Sequence, residues 1–473
     1  MTGSIAALLT AILVAPTVGV GPAGAPATAA AAPGHAAGPE TAAGREGVAP
    51  VGDTATRGTP APIVESELAT LVHRFTEDRS ALARRYDAAW SPRRRARLRT
   101  FYRDWRDRLR DVAFEELGTE GRIDWLLLDG ELEYGLHLLD QEAERFREMA
   151  PLLPFAEPLL GLHEARRDLE PVEPRATAGM LASLVEELTE LRTRLTGDGA
   201  AETPSPIVGL RAADAVRSIR RTFDDWYGYF AGYDPVFTWW VEATYRELTA
   251  ALESYEGFLR REVVGYAEGE APPIVGDPIG ADGLQADLRH EMIPYSPAEL
   301  IEIAESEYAW CEARMIEASR ELGFGDDWLR ALEHVKTLHV PPGEQPAMVE
   351  DLYEQSVAFL KERELVTIPP LAEEVWRMEM MSPERQKVSP FFLGGEVIMV
   401  SYPTDGMAHD DKLMSMRGNN EHFSRATVHH ELIPGHHLQG FMNDRYHPHR
   451  RIFRTPFWHE GNALYWEFRL WDL

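Results

Sequence analysis

The sequence predicts a mainly α-helical fold with one small β element beside a histidine-rich helix. Apolar residues recur at three- and four-residue spacing through most of the chain after residue 63, which is the period of helices that bury one face. A short apolar run between Phe391 and Pro403 breaks this period and is typical of a strand. The third observation is the stretch Val428–Gln439, which contains four histidines and follows that strand.

Two segments near the N-terminus are expected to lie outside the folded domain. Ile5–Val20 is almost wholly apolar, but it is too short and too interrupted by Pro and Gly to span a membrane. Small-residue cleavage sites follow within 23–29, so 1–29 is predicted to be a secretory signal peptide and the mature protein to be secreted or extracytoplasmic. An ordinary Ala-rich tail is the alternative, because no Lys or Arg precedes Arg45. The segment 30–62, mostly Ala, Gly, Pro and Thr, is expected to be a disordered linker.

The remainder, 63–473, is predicted to form one helical domain, which at about 410 residues is long enough to bury a sizeable core. The Pro/Gly-rich stretch Gly269–Gly283 divides it into an N-terminal half, 63–268, and a half that carries the histidine motif, 284–473. Cys311 is the only cysteine, so no internal disulfide can form and the fold depends on packing.

Eight segments of this domain combine helical spacing of apolar residues with Arg and acidic positions between them. They are Ser66–Tyr86, Pro92–Leu117, Ile123–Arg147, Thr177–Leu195, Ala213–Phe230, Phe237–Gly265, Ser296–Leu322 and Gln345–Glu364. The seventh opens with Ser-Pro-Ala-Glu, and Pro in a first turn followed by an acid is a typical helix start.

The charge of the chain argues against nucleic acid as a partner. The formal net charge is −29, and no long basic stripe supplies the Lys and Arg that neutralise phosphates. The one dense basic patch comprises Arg93–Arg95, Arg97 and Arg99, and acidic residues soon follow it on the same predicted helix. A solvated helix face is therefore the preferred interpretation of this patch.

The stretch Val428–Gln439 reads Val-His-His-Glu-Leu-Ile-Pro-Gly-His-His-Leu-Gln, and Glu460 follows further along. A catalytic zinc ion takes three protein ligands, typically neutral imidazoles and carboxylates, and leaves one position for water. Glu431 comes directly after His430, where it can act as general base as in His-Glu-x-x-His metalloproteases. The alternative is a surface histidine cluster without a metal.

The spacing leaves two candidates for the second histidine ligand. On an unbroken helix His436 is rotated about 600° from His430 and His437 about 700°, and 700° is almost two full turns. Only His437 would therefore share the face of His430, and it would lie about 10.5 Å further along the helix axis. Pro434 lacks an N–H and crowds the carbonyl four residues back, so the helix is expected to break or bulge there. If Pro434 and Gly435 loop out, His436 takes the place of the usual second histidine. His430 with His436 is therefore the preferred pair, and His437 remains the alternative.

This motif, together with Phe453–Leu473, resembles the bacterial family called Domain of Unknown Function 885, whose pattern is His-Glu-x-x-Pro-Gly-His and then Glu-Gly-Trp-Ala. The resemblance covers most of the chain after about residue 63, but only the C-terminal motifs are specific. Residue by residue, it implies His430, His436 and Glu460 as the zinc ligands and Glu431 as the base. It further implies a zincin-like, largely helical metallopeptidase architecture.

The same resemblance places the strand within Phe391–Pro403 beside the metal helix, at the edge of a sheet. An edge strand in this position holds an extended substrate by backbone hydrogen bonds. The local sequence alone indicates only a buried strand, so both interpretations stay open. Glu396 and Tyr402 are candidates to line the cleft or are ordinary rim residues.

Two departures from the family pattern carry further expectations. Asn462 stands where the family has Trp, so the packing behind Glu460 is expected to differ. The chain stops at Leu473, within the helix that Glu460 should open, whereas family members continue beyond this point. The resemblance therefore implies a chain truncated at its C-terminus, with an incomplete site.

The resulting prediction is an exported zinc-dependent hydrolase, first of all a metallopeptidase that acts on a peptide or small-molecule substrate. Glu431 would take a proton from water as a carbonyl is attacked and return it to the leaving amine. Tyr465 is a candidate oxyanion donor or a packed aromatic, and His422, His429 and His459 are candidates to orient the ligands. The alternatives are a metal-dependent hydrolase or lyase of a non-peptide substrate, a non-catalytic metal or peptide binder, and a metal-free helical scaffold. Similar ligands also accept manganese or cobalt.

Overall fold

The structure, a computed structural model, describes residues 65–196, 204–266, 269, 273–389 and 391–473. The predicted signal peptide at 1–29 and the predicted linker at 30–62 lie outside the described residues. Within the described part the fold is mainly helical, as predicted, with one two-stranded sheet. No helix in these ranges combines the length and the apolar character needed to cross a membrane.

The described chain divides into two units, each with its own internal contacts. One unit contains Glu65–Ser306 and Gly440–Asn462, and the other contains Glu307–Gln439 and Ala463–Leu473. The domain ranges expected from the sequence remain predictions.

The first unit is built from helices that pack against one another. Those wholly within it are α1 (Ala69–Arg85), α2 (Pro92–Arg110), α3 (Thr119–Met149), α4 (Ala156–Arg167), α5 (Pro174–Thr196), α6 (Pro206–Phe230), α7 (Pro235–Phe258) and α8 (Gly280–His290). Short side chains fix where several of them begin. Ser91 accepts a hydrogen bond from Arg94 N and Ser205 one from Val208 N, in each case with Pro at the first helical position.

Most of the first unit's core lies where α5, α6 and α7 pack together. Trp226 and Phe237 are fully buried there with ring centroids 5.3 Å apart, and Tyr255 donates a hydrogen bond to Leu152 O at 3.0 Å. Helix α7 passes into a π-helical turn, Leu259–Val264, which ends at Gly265 with φ +87°. Glycine tolerates this left-handed conformation, so the predicted end of the segment Phe237–Gly265 has a clear physical cause.

The basic patch on α2 is paired rather than simply solvated. Arg94 and Arg95 contact Glu142 of α3 at 2.8 and 3.2 Å, and Arg93 pairs with Asp168 just after α4. Arg95 is only 7% exposed. The patch therefore holds neighbouring helices together.

A 3₁₀ helix, Pro448–Phe453, attaches the later segment of the first unit to α3. Asp124 of α3 is fully buried and accepts hydrogen bonds from His449 Nε2 and Arg450 Nε, both at 2.6 Å. Arg450 also reaches Glu120 at 2.6 Å. Removal of one partner from such a buried group leaves a charge unpaired in the interior, so the network stabilises the fold only while all of its members are present.

The second unit carries the sheet and the histidine motif. Its elements are α10 (Trp328–Val335), α11 (Gln345–Glu362), α12 (Pro370–Val375), β1 (Arg377–Met380), α13 (Pro383–Gln386), β2 (Val397–Val400), α14 (His409–Gly418) and α15 (Glu421–Glu431). Three further helices belong partly to each unit: α9 (Pro297–Glu321), α16 (His436–Tyr446) and α17 (Pro456–Asp472).

The predicted strand is present but shorter than expected, and it has a partner that was not predicted. Strand β2 pairs in parallel with β1, with Arg377 opposite Val397 and Met380 opposite Val400. Strand β1 reads Arg-Met-Glu-Met and has none of the β-branched or aromatic residues that usually indicate a strand. Ile398 and Val400 of β2 point into the unit's interior and are almost fully buried.

Candidate metal centre

The histidine motif folds as two helices separated by a four-residue loop. Helix α15 ends at Glu431, and α16 begins at His436. The Ile433–Pro434 peptide bond is cis. A Cβ atom on Gly435 would lie only 1.8 Å from the carbonyl oxygen of His430, so the loop folds back so closely on the last turn of α15 that only glycine fits. This is the break that Pro434 predicts.

The loop brings His430 and His436 together. Their rings meet edge to face, with centroids 4.5 Å apart and an interplanar angle of 86°. One ligand atom each from His430, His436 and Glu460 all lie within 4.8 Å of one another. A tetrahedral zinc ion with bonds of about 2.0–2.2 Å sets its ligand atoms about 3.4 Å apart. Ligand atoms that are up to 4.8 Å apart would have to approach one another by up to about 1.4 Å to hold a zinc ion.

Glu467 is a contact of His430 that the sequence reasoning missed. Its Oε1 lies 2.6 Å from His430 Nδ1, and both side chains are largely buried. A histidine that gives its Nδ1–H to a carboxylate presents Nε2 to a metal, and the carboxylate fixes the ring's orientation. The available signal was spacing: Glu467 lies seven residues after Glu460, and seven residues are almost two helical turns, so both glutamates share one face of α17.

His437 makes a different contact from His436. It is 2% exposed, and its Nε2 lies 2.7 Å from the carbonyl oxygen of Ala372, to which it donates a hydrogen bond. The residue therefore attaches the start of α16 to α12. The structure groups His436, and not His437, with His430.

His429 also faces away from the grouped side chains. Its Nδ1 lies 2.9 Å from the hydroxyl of Ser356 on α11. The side chain is partly exposed to solvent. Burial of the ring and the positive charge of the nearby Arg425 nevertheless lower the pKa of His429 to about 4. His429 is therefore neutral at physiological pH and can support the motif without adding charge to it.

Glu431 lies against the loop that precedes β2. Its carbonyl oxygen accepts a hydrogen bond from Gly395 N at 3.2 Å, and its side chain is 8% exposed. A Cβ atom on Gly394 would come within 2.3 Å of Glu431 Cβ and 2.7 Å of its Oε2. The absence of a side chain at Gly394 therefore leaves room for the Glu431 carboxylate.

The other residues named from the sequence have more ordinary surroundings. Tyr465 is 58% exposed and packs its ring against Trp466. Glu396 pairs with Arg377 across the sheet at 2.6 Å. The backbone N–H of His422 donates to Asn420, which caps the start of α15. The ion pair indicates a structural role for Glu396, and the candidate roles of Tyr465 stay predictions.

Two comparisons with known proteins found matches. The model of the family described as "Bacterial protein of unknown function (DUF885)" matches residues 75–473. A solved structure from Shewanella oneidensis, described as a candidate lipoprotein of unknown function, is similar with a TM-score of 0.56. The two chains are 15% identical, and the similarity covers 86% of this chain and 78% of the other, so it concerns the fold alone. No curated protein matches this chain.

The family match spans most of the chain, including the region that contains Glu431 and the His430, His436 and Glu460 group. The chain therefore belongs to the bacterial protein family of unknown function DUF885.

Proposed function

We propose that this protein is a zinc-dependent hydrolase and that its substrates are peptides. The observation that carries the proposal is the group formed by His430, His436 and Glu460, with Glu431 directly after the first of them. Two nitrogen donors and one oxygen donor form the ligand set of several catalytic zinc sites, which keep one position for water. A zinc ion held there would lower the pKa of a coordinated water molecule to roughly 7 and polarise a carbonyl group.

The chain's own residues have separable tasks in this proposal. Glu467 holds the ring of His430 through Nδ1, so that Nε2 faces the metal position. Glu431, held by the Gly394–Gly395 loop, accepts the proton of the attacking water and returns it to the leaving amine. The low exposure of Glu431 keeps competing water away from this proton transfer.

The zincin-like architecture is likewise part of the proposal. It is supported by the short strand β2, which precedes the metal helix in sequence, and by the contact of the loop before β2 with Glu431. We also propose that the protein acts outside the cytoplasm. The apolar segment Ile5–Val20 supports export, and so does the similarity to a structure described as a candidate lipoprotein.

Elemental analysis of the purified protein tests the metal. We expect about one zinc ion per chain, loss of that zinc in His430→Ala, and no change in His409→Ala, which alters an exposed histidine outside the group. Equal zinc content in the wild type and in His430→Ala would contradict the proposed ligand.

Peptide-library digestion tests the reaction. Glu431→Gln should keep its zinc and lose hydrolysis by about 10²–10⁴-fold, because removal of a general base has that typical effect. Glu350→Gln, at an exposed position of α11, is the matched control and should behave like the wild type. If the protein holds zinc but cleaves no peptide, the proposal of a peptidase is replaced by that of a hydrolase or lyase of another substrate.

A further inference from the structure

Ser356 lies beneath the loop that separates the two histidine helices. It is in the fourth turn of α11, its side chain is 3% exposed, and α11 packs against α15. Its hydroxyl is 2.9 Å from Ile433 O in the loop and 2.9 Å from His429 Nδ1 in the last turn of α15. One hydroxyl thus contacts both sides of the point where α15 ends.

The direction of both hydrogen bonds follows from counting protons. A serine hydroxyl has one proton to donate, and a backbone carbonyl can only accept. Ser356 must therefore donate to Ile433 O and accept from the Nδ1–H of His429. Each of the three groups is then satisfied, and each orientation depends on the other two.

We propose that Ser356 is a positioning residue that fixes the loop between the helices and thereby the separation of His430 and His436. His429 directly precedes His430, and Ile433 lies three residues before His436, so the hydroxyl acts on both ligands through their neighbours. The loop between Glu431 and His436 is the chain segment that joins the two helices, so a change in its path would change the separation of His430 and His436. As a statement about metal binding, this inference rests on the proposed function.

The test compares Ser356→Ala with Ser319→Ala. Ser319 is a fully buried serine of α9 in the same unit, and its Oγ makes no hydrogen bond among the described residues. Both variants lose one buried hydroxyl, but only Ser356→Ala loses contacts to the loop. Ser356→Thr keeps the hydroxyl and serves as the conservative variant. All measurements are made well below the melting temperature of each variant.

Amide hydrogen exchange in the metal-free protein is the first measurement. Leu432 N donates to Val428 O and Leu438 N to Leu432 O, so these amides report on the loop. We expect them to exchange at least about tenfold faster in Ser356→Ala, with amides at the centre of α11 unchanged. Wild-type rates in Ser356→Ala, or an equal increase in Ser319→Ala, would overturn the inference.

Zinc affinity, measured by competition with a chromophoric chelator, is the second measurement. Loss of a group that orients ligands typically weakens metal binding about 10–100-fold, and we expect a loss in this range for Ser356→Ala and none for Ser319→Ala or Ser356→Thr. Unchanged zinc affinity in Ser356→Ala, or an equal loss in Ser356→Thr, would contradict the positioning role. If the wild type itself binds no zinc, the proposed function fails, whereas the exchange measurement still decides whether Ser356 fixes the loop.

Discussion

The Nδ1 atom of His430 and the Oε1 atom of Glu467 are 2.6 Å apart, and this contact joins α15 to α17. Both side chains are largely shielded from solvent, so the hydrogen bond holds the imidazole in one tautomer more firmly than a surface contact would. Glu467 contacts a proposed metal ligand without being one itself, and the first prediction concerns this contact.

Glu467→Gln should weaken zinc binding about tenfold, and Glu467→Ala should weaken it further, within the range of about 10–100-fold typical of such contacts. The glutamine side chain can still accept the hydrogen bond, but it lacks the negative charge that makes the imidazole of His430 a stronger electron-pair donor to the metal. Chelator competition measures the effect, and Glu374→Gln, at an exposed position of α12, is the control. Equal zinc affinities for the wild type and Glu467→Ala would show that the contact does not serve the metal.

His436→Ala and His437→Ala should have opposite effects. The first should lose zinc with little change in the metal-free stability. The second should keep zinc but lower the free energy of unfolding by about 1–3 kcal/mol, because the buried carbonyl of Ala372 loses its donor. Zinc content measures the first effect, and urea denaturation of the metal-free proteins measures the second. Zinc loss in His437→Ala alone would reverse the ligand assignment.

Gly394→Ala should reduce hydrolysis and stability together. The added Cβ would lie 2.3 Å from Glu431 Cβ and 3.0 Å from its Cα, so either the loop or the base must move. Overpacking of this kind typically costs about 1–3 kcal/mol. Gly406→Ala is the matched control, since nothing lies within 4 Å of a Cβ at that position. Wild-type turnover in Gly394→Ala would mean that Glu431 does not depend on this loop.

Asp124→Ala should destabilise the first unit strongly. It would leave His449 and Arg450 without their buried partner, and breaking such a pair typically costs about 3–5 kcal/mol. Asp140→Ala removes a mostly exposed partner of Arg99, and its effect should be small. Urea denaturation of both variants measures the difference, and similar midpoints for the two would rule out a structural role for the buried network.

Asp87 should make stability fall in acid. Partial burial opposes its ionised form, but hydrogen bonds from His163 and Arg167 outweigh this and hold the pKa of Asp87 below its ordinary value. A carboxylate with a lowered folded-state pKa contributes stability above its unfolded pKa of about 3.9 and loses it as pH falls through the folded value. Asp87→Asn should therefore show a shallower loss of unfolding free energy between about pH 5 and pH 2. An unchanged slope in this variant would contradict the prediction.

The parts that could be predicted from sequence are those set by local chemistry. Pro434 and Gly435 predicted the break in the motif helix. Three- and four-residue spacing predicted most helices of the first unit, although Ala156–Arg167 and Gly280–His290 were missed. The contacts of Ser356 and Gly394 could not be predicted, because each joins segments far apart in sequence. Glu467 did have a signal, its seven-residue spacing from Glu460, which was missed. Strand β1 was missed for a related reason, since pairing with β2 overrides its weak strand propensity.

Helix α17 carries both Glu460 and Glu467. Seven residues of continuous helix separate their Cα atoms by about 10.5 Å along the axis. If the helix moves as a rigid body, the two glutamates move together. A shift of α17 that lengthens the contact between Glu467 and His430 therefore also displaces Glu460.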